Sequence, residues 1–279
     1  MHETDAVKTS LRFAPYESEA KHTRWNDVDV LQLPFDRAGR YIVGFAHSDR
    51  CLDAALRLRY EVFNLELGEG LSESVTTGLD RDELDAQMTH LVLVDAQSHE
   101  IVGTYRMQTA SHALAHRGLY ASRQYDLSAF EPYIPRAVEL GRACLAKNHR
   151  MLPAIMQLWL GIGAFMNQYD QWYLFGCSSL TSTDPDDGWR AMKTIREKGY
   201  LSPNLFLPAR ARFSCGNPQR EFDTDLGEEL RLPKLFRTYM RLGCQVISEP
   251  SIDTEFGSID FLILMDGREV TLSSLDVLK

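Results

Sequence analysis

Residues 136–146 read Arg-Ala-Val-Glu-Leu-Gly-Arg-Ala-Cys-Leu-Ala, an apolar run with the pattern of a buried strand that nevertheless carries Glu139 and Arg142 three positions apart. Charges placed inside a strand need a partner or a chemical use. Residues i and i+3 of a regular strand face opposite sides, so both serve one site only if the strand bends or bulges, and Gly141 is the residue that permits this. A structural ion pair at a strand end is the alternative reading. A buried carboxylate has a raised pKa and takes up a proton, while an arginine holds an anion or polarises a carbonyl. The pair therefore points to acid–base chemistry on a substrate that carries negative charge.

The rest of the chain supplies a mixed sheet for this strand. Residues 41–46 are β-branched and aromatic and read as a strand, and residues 51–67 carry apolar positions at helical spacing up to Gly68. Residues 90–95 and 101–107 are two strands joined by a short polar link, which predicts an antiparallel hairpin. Residues 110–135 read as a partly helical insertion. A helix over 153–168 follows the central strand, with Pro153 in its first turn, then a strand over 172–177 and a helix over 187–198. A helix over 233–242 and strands over 245–248 and 259–265 close the order. This predicts an α/β (α+β) domain, a mixed central sheet flanked by helices. Residues 1–38 are polar and irregular and read as an N-terminal extension to a single domain over 39–279.

Composition narrows the setting. With 44% hydrophobic residues among 279, the chain can bury a full core in one domain. A formal charge of −9 argues against nucleic acid as a partner. Its five cysteines are an odd number, scattered, and form no C-x-x-C pair, which fits a reducing cytoplasm and neither a disulfide framework nor a zinc site. No signal peptide opens the chain and no apolar run reaches the roughly 18–20 residues of a membrane span. A cytoplasmic protein is expected, with peripheral contact to the inner membrane through residues 1–38 as a further reading. His112 and His116 have helical i, i+4 spacing but no adjacent carboxylate, so no metal site is expected. Cys177 reads as a buried structural cysteine. The apolar face of residues 151–165 reads as a core helix or as the wall of an acyl tunnel.

The ordered set Arg59-Tyr60-Glu61-Val62-Phe63, Asp82 to Asp85, Gly103-Thr104-Tyr105-Arg106 and Glu139-Leu140-Gly141-Arg142 resembles the acyl-homoserine-lactone synthases. Residues 160–162, 174–179 and 253–261 resemble more closely two related groups of the GNAT superfamily, the bacterial ornithine N-acyltransferases and the long-chain N-acyl amino acid synthases. That resemblance, over about residues 41–266, implies a mostly antiparallel GNAT-like sheet and amide formation between an amino acid and a fatty acyl group carried on the 4′-phosphopantetheine of acyl carrier protein. No tightly bound cofactor is implied.

The same resemblance implies site residues. Glu139 would take the amine proton, directly or through water, and Arg142 would hold that carboxylate or the substrate's own. Arg59, Phe63 and Arg106 would lie at the acceptor site, with Asp82 and Asp85 binding an ammonium or orienting Arg59. Acetyl-coenzyme A enzymes of the superfamily follow the central strand with a glycine-rich, pyrophosphate-binding turn. Residues 147–153 contain no glycine. A donor without a nucleotide needs no such cradle, so Lys147, His149 and Arg150, with Lys193 and Arg196 on the following helix, are the expected docking patch for an acidic carrier protein. Ornithine is the favoured acceptor, with glycine, lysine or tyrosine as alternatives. A lactone-forming signal synthase and a non-catalytic acyl-binding module are the remaining readings.

Overall fold

The computed structural model describes residues 27–31, 39–224, 226–227 and 229–269. Its first elements are β1 (Val28–Val30), β2 (Tyr41–Ala46), α1 (Asp49–Tyr60) and a short α2 (Ser74–Thr77). Then come the hairpin of β3 (Thr89–Asp95) and β4 (Ile101–Thr109), the short helices α3 (Ala110–Leu114) and α4 (Ala121–Gln124), and β5 (Ala137–Leu145). The second half holds α5 (Leu152–Gln168), β6 (Tyr173–Leu180), α6 (Pro185–Glu197), α7 (Lys234–Arg241), β7 (Gln245–Val246), β8 (Ser251–Asp253) and β9 (Ser258–Asp266).

Local chemistry sets the helix ends. The Ser48 side chain accepts from the Cys51 N–H at the start of α1, and Asp184 accepts from the Asp186 N–H at the start of α6. Beyond α1 the chain tightens into a π-helical turn, Glu61–Leu67, and stops at Gly68, whose φ of 70° suits a residue without a Cβ. The expected single helix over 51–67 is thus an α-helix with a widened last turn.

The strands form one nine-stranded sheet in the order β1-β2-β3-β4-β5-β6-β9-β7, with β8 also paired to β9. Every pairing is antiparallel except that of β5 with β6. The residue pattern predicts a mixed sheet, and its mostly antiparallel pairing is what the family resemblance implies. Most of the expected extension over 1–38 lies outside the described residues, but Val28–Val30 pairs with β2 as an edge strand. Helices cover both faces. Leu91 and Leu93 of β3 face α5, and the alternate Val92 and Val94 face the α1 side, so β3 reads as an unbroken apolar run because neither face meets water. Among the described residues no helix is long and apolar enough to cross a membrane.

The parallel pair is short. Ala137–Glu139 match Tyr173–Phe175, after which β5 continues against β4 alone and β6 against β9 alone. At the fork a Cβ on Gly176 would come within 2.2 Å of the Leu140 carbonyl oxygen, so only glycine lets the strands pass this closely. Beyond it the facing edges of β5 and β6 have no strand partner among the described residues.

Candidate active site

The central strand does bulge. Gly141 is opposite Arg106 and Cys144 opposite Thr104, so Arg142 and Ala143 together face the single residue Tyr105. The left-handed backbone falls on Arg142, at φ 50°, one residue beyond Gly141, the residue expected to permit the bend. A Cβ on Gly141 would make only ordinary contact with the buried Arg106 guanidinium, 3.7 Å from Nε.

No ion pair forms between Glu139 and Arg142 among the described residues. Arg142 Nε instead donates to Asp80 at 3.1 Å, and its guanidinium lies 4.3 Å from the Phe256 ring centre and 5.5 Å from that of Tyr120. Arg59 donates to Asp80 and Asp85, both at 2.7 Å, and Arg106 Nη1 donates to Asp82 at 2.6 Å and Asp85 at 2.9 Å. These arginines and aspartates form one buried, charge-balanced network. Burial works against ionised carboxylates here, yet Arg59 and Arg106 hold Asp85 well below its ordinary value, and Arg106 and Arg142 lower Asp82. His90 packs on the same network with Nε2 3.0 Å from the Asp85 carbonyl oxygen, and burial lowers its pKa so that it stays neutral.

Glu139 sits apart from that network. Its carboxylate accepts from the Gln108 side chain at 2.8 Å and from the backbone N–H groups of Tyr120 at 3.1 Å and Ala121 at 2.8 Å. It thereby anchors the first turn of α4 and the inserted segment to the sheet. Burial raises its pKa, and the three donors only partly offset this. A carboxylate has about four acceptor directions, so one remains for a further proton donor.

A cavity of about 460 Å³ opens in the fork. Glu139, Arg106, Arg142 and Tyr120 line one part, and Val62, Phe63, Ile155, Leu158, Trp159 and Leu235 make an apolar wall. Residues 151–165 thus serve both expected roles, since α5 gives Leu160 and Ile162 to the core while Ile155 and Trp159 face the cavity. A smaller pocket of about 60 Å³, between β5 and β6, shares Tyr105, Leu140 and Tyr239 with it and extends to Cys244 and Met265. Two more carboxylates line the cavity: Glu69, from the loop after Gly68, and Asp260, from β9. Both have pKa values raised by burial.

The structure therefore redistributes the expected site. Glu139, Arg142, Arg106 and Phe63 line the cavity. Arg59 is fully buried and its donors are engaged by Asp80 and Asp85, with Asp82 beside them, so these residues support Arg106 and Arg142 from behind and do not present free charge to an acceptor. The expected docking patch is not one basic surface: Arg150 donates to Glu66 and Arg196 to Glu221, and His149 Nδ1 lies 3.1 Å from the Tyr41 hydroxyl. Lys147 and Arg150 follow β5, whereas Lys193 and Arg196 ride on α6, beyond β6. Asp80, Tyr120, Glu69 and Asp260 escaped the sequence reading. Asp260 carried the same signal as Glu139, an acid within an apolar strand. His112 and His116 stack at 4.0 Å, with His112 Nε2 3.2 Å from the Gln87 carbonyl oxygen and His116 Nδ1 2.8 Å from that of His112. The Cys177 thiol is pushed well above its ordinary value by burial, which leaves it a poor nucleophile.

Comparison with known proteins agrees with this architecture. The acetyltransferase (GNAT) domain family matches residues 58–160. The chain is 29% identical over 238 residues to the L-ornithine N(alpha)-acyltransferase of Rhodobacter capsulatus, covering 83% of this chain and 92% of that protein. It is 28% identical over 243 residues to the enzyme of the same name from Agrobacterium fabrum, covering 83% and 82%. Among solved structures it is similar to FeeM, an N-acyl amino acid synthase from uncultured soil microbes, with a TM-score of 0.51 at 14% identity over 84% of this chain and 97% of that one.

Proposed function

We propose that this chain, which carries a GNAT acetyltransferase domain, is an N-acyltransferase that joins a thioester-bound fatty acyl group to the α-amine of an amino acid, with ornithine as the acceptor. The observation that carries the reading is the forked cavity, lined both by a buried carboxylate with arginines and by an apolar wall. The ornithine acyltransferases to which the chain is similar support the choice of acceptor.

A thioester is already activated. The amine nitrogen attacks the carbonyl carbon, the C–N bond forms as the C–S bond breaks, and the thiolate leaves and takes up the proton that the amine gives away. Positioning the reactants supplies about 7–11 kcal/mol of such a barrier, and one general base about 10²–10⁴-fold. Glu139 is the proposed proton acceptor, through its free acceptor direction. An α-amine titrates near 7.7–8 in peptides against about 10.4 for a lysine-like amine, so the α-nitrogen is the more accessible neutral nucleophile. The unpartnered edges of β5 and β6 suit the amides of an extended donor arm. The turn between β5 and α5 lacks glycine, which favours a carrier-protein thioester over a nucleotide-bearing one. Lys147, exposed just after β5, is the proposed docking cation.

Mass spectrometry of lipid extracts from cells expressing the protein tests this. A new N-acyl ornithine should appear, and Glu139→Gln should reduce it by about 10²–10⁴-fold while the purified variant stays folded. Equal product from variant and parent would remove Glu139 from the chemistry. No product in either, together with no turnover of acyl-carrier or acyl-coenzyme A thioesters in vitro, would overturn the reading.

A further inference from the structure

Two groups at the polar end of the cavity lack the partner that their burial demands. Arg106 is 2% exposed and donates through Nη1 to Asp82 and Asp85, but its Nε–H has no acceptor among the described residues. Glu69 and Asp260 are 8% and 3% exposed, and neither forms an ion pair among the described residues. Their neighbours are neutral: the Thr181 hydroxyl beside Glu69, and the Gln124 amide at 2.7 Å, the Ser258 hydroxyl at 3.1 Å and the Ser179 hydroxyl beside Asp260. Asp253 adds a further acid near this end, reached by Gln124 at 3.3 Å and by the Tyr120 hydroxyl at 3.4 Å. Buried carboxylates without a cation are expensive unless a cationic ligand completes them.

Tyr120 lies between these two unpartnered ends. The Arg106 guanidinium is 5.7 Å from its ring centre, its N–H donates to Glu139, and its hydroxyl points to Asp253. Arg106 and Glu139 are neighbours across β4 and β5, because Gln108, two residues along β4 on the same face as Arg106, binds Glu139. An α-amino acid carries its amine and carboxylate on one carbon, which matches that adjacency.

We infer that the cavity holds a diamino acid at both ends: the Arg106 guanidinium takes the α-carboxylate, the α-amine lies at Glu139, and Glu69 with Asp260 holds the side-chain ammonium. This deepens the proposed acyl transfer and rests on it for the identity of the acceptor. Burial raises the pKa of both acids, and an ammonium beside them favours their ionised form. The second ammonium is thus recognised and kept charged, which leaves the α-amine as the nucleophile.

Titration calorimetry of the full chain, without acyl donor, compares L-ornithine with L-norvaline, which has the same carbon skeleton and no side-chain amine. A charge-assisted hydrogen bond is worth about 1.5–3 kcal/mol, so ornithine should bind about 10- to 150-fold more tightly. Glu69→Gln and Asp260→Asn should each bring the two ligands closer, and Arg106→Lys should weaken both alike. Equal affinity in the parent protein, no binding of ornithine, or an unchanged preference in folded Glu69→Gln and Asp260→Asn would overturn the inference. If Asp260→Asn does not fold, the parent protein and Glu69→Gln decide. Ornithine binding as expected without thioester turnover would instead fault the acyl-transfer reading and leave the subsite standing.

Discussion

The cavity joins two buried charged regions built on opposite principles. Behind β4 and β5, Arg59, Arg106 and Arg142 meet Asp80, Asp82 and Asp85 at close range and balance them. Around β9, Glu69, Asp253 and Asp260 have hydroxyl and amide neighbours and no cation among the described residues. The first region balances its charges with its own residues and holds the sheet and the fork in place. The second is incomplete, and incompleteness at that depth marks a place where something binds. Arg106 belongs to both, since its Nη1 is engaged by the network and its Nε–H is not.

Breaking the balanced region should have the largest effect. Arg59→Ala removes one of the two guanidinium partners of both Asp80 and Asp85 in the buried network, and loss of one partner of a buried pair costs about 3–5 kcal/mol. Urea unfolding measures this, and a loss below about 1 kcal/mol would mean that the network does not hold the fold. The fork comes next. Gly176→Ala drives a Cβ into the Leu140 carbonyl, a backbone atom that cannot swing aside. Overpacking of this kind costs about 1–3 kcal/mol, and turnover should fall more than stability because the strands that frame the cavity must part differently. A variant with parental stability and activity would show that the fork adjusts freely.

The smallest effect, and the sharpest contrast, lies in pH. Asp82 and Asp85 have folded-state pKa values below their unfolded ones, so their stabilisation is present above about pH 4 and is lost as pH falls through the lowered values. Glu69 and Asp260 have raised values, so the folded state holds protons that the unfolded state has released. Stability therefore declines as pH rises from the ordinary carboxylate range through the raised values. Melting temperature followed against pH should show both limbs. Asp260→Asn should flatten the upper limb and leave the acid limb unchanged, whereas an unaltered upper limb would exclude Asp260 as its source.

How much of this was legible in the sequence depended on whether the signal was local. The β3–β4 hairpin, α5 and the charges of β5 each follow from periodicity or from a polar residue in an apolar run, and each is found as expected. β8 is three residues long and exists because Asp253–Ser258 closes a hairpin onto β9, so no period announces it. The bulge on β5 was predictable, but its left-handed residue is Arg142, because the pairing with Arg106 and Thr104 decides where the extra residue falls. The expected basic patch dissolved because Glu66 and Glu221, remote in sequence, reach Arg150 and Arg196 first.

By itself, then, the sequence determined the mixed sheet, its helical cover and the presence of charge in the central strand, since hydrophobic period and chain punctuation are properties of neighbouring residues. Tertiary structure alone decided which charges cancel. Arg59 and Arg142 meet Asp80 across 21 and 62 residues of chain, while Asp260 meets no cation at all among the described residues. The physical reason is that a buried charge is defined by what lies within a few ångströms of it, and only the folded chain brings those partners together or leaves one out.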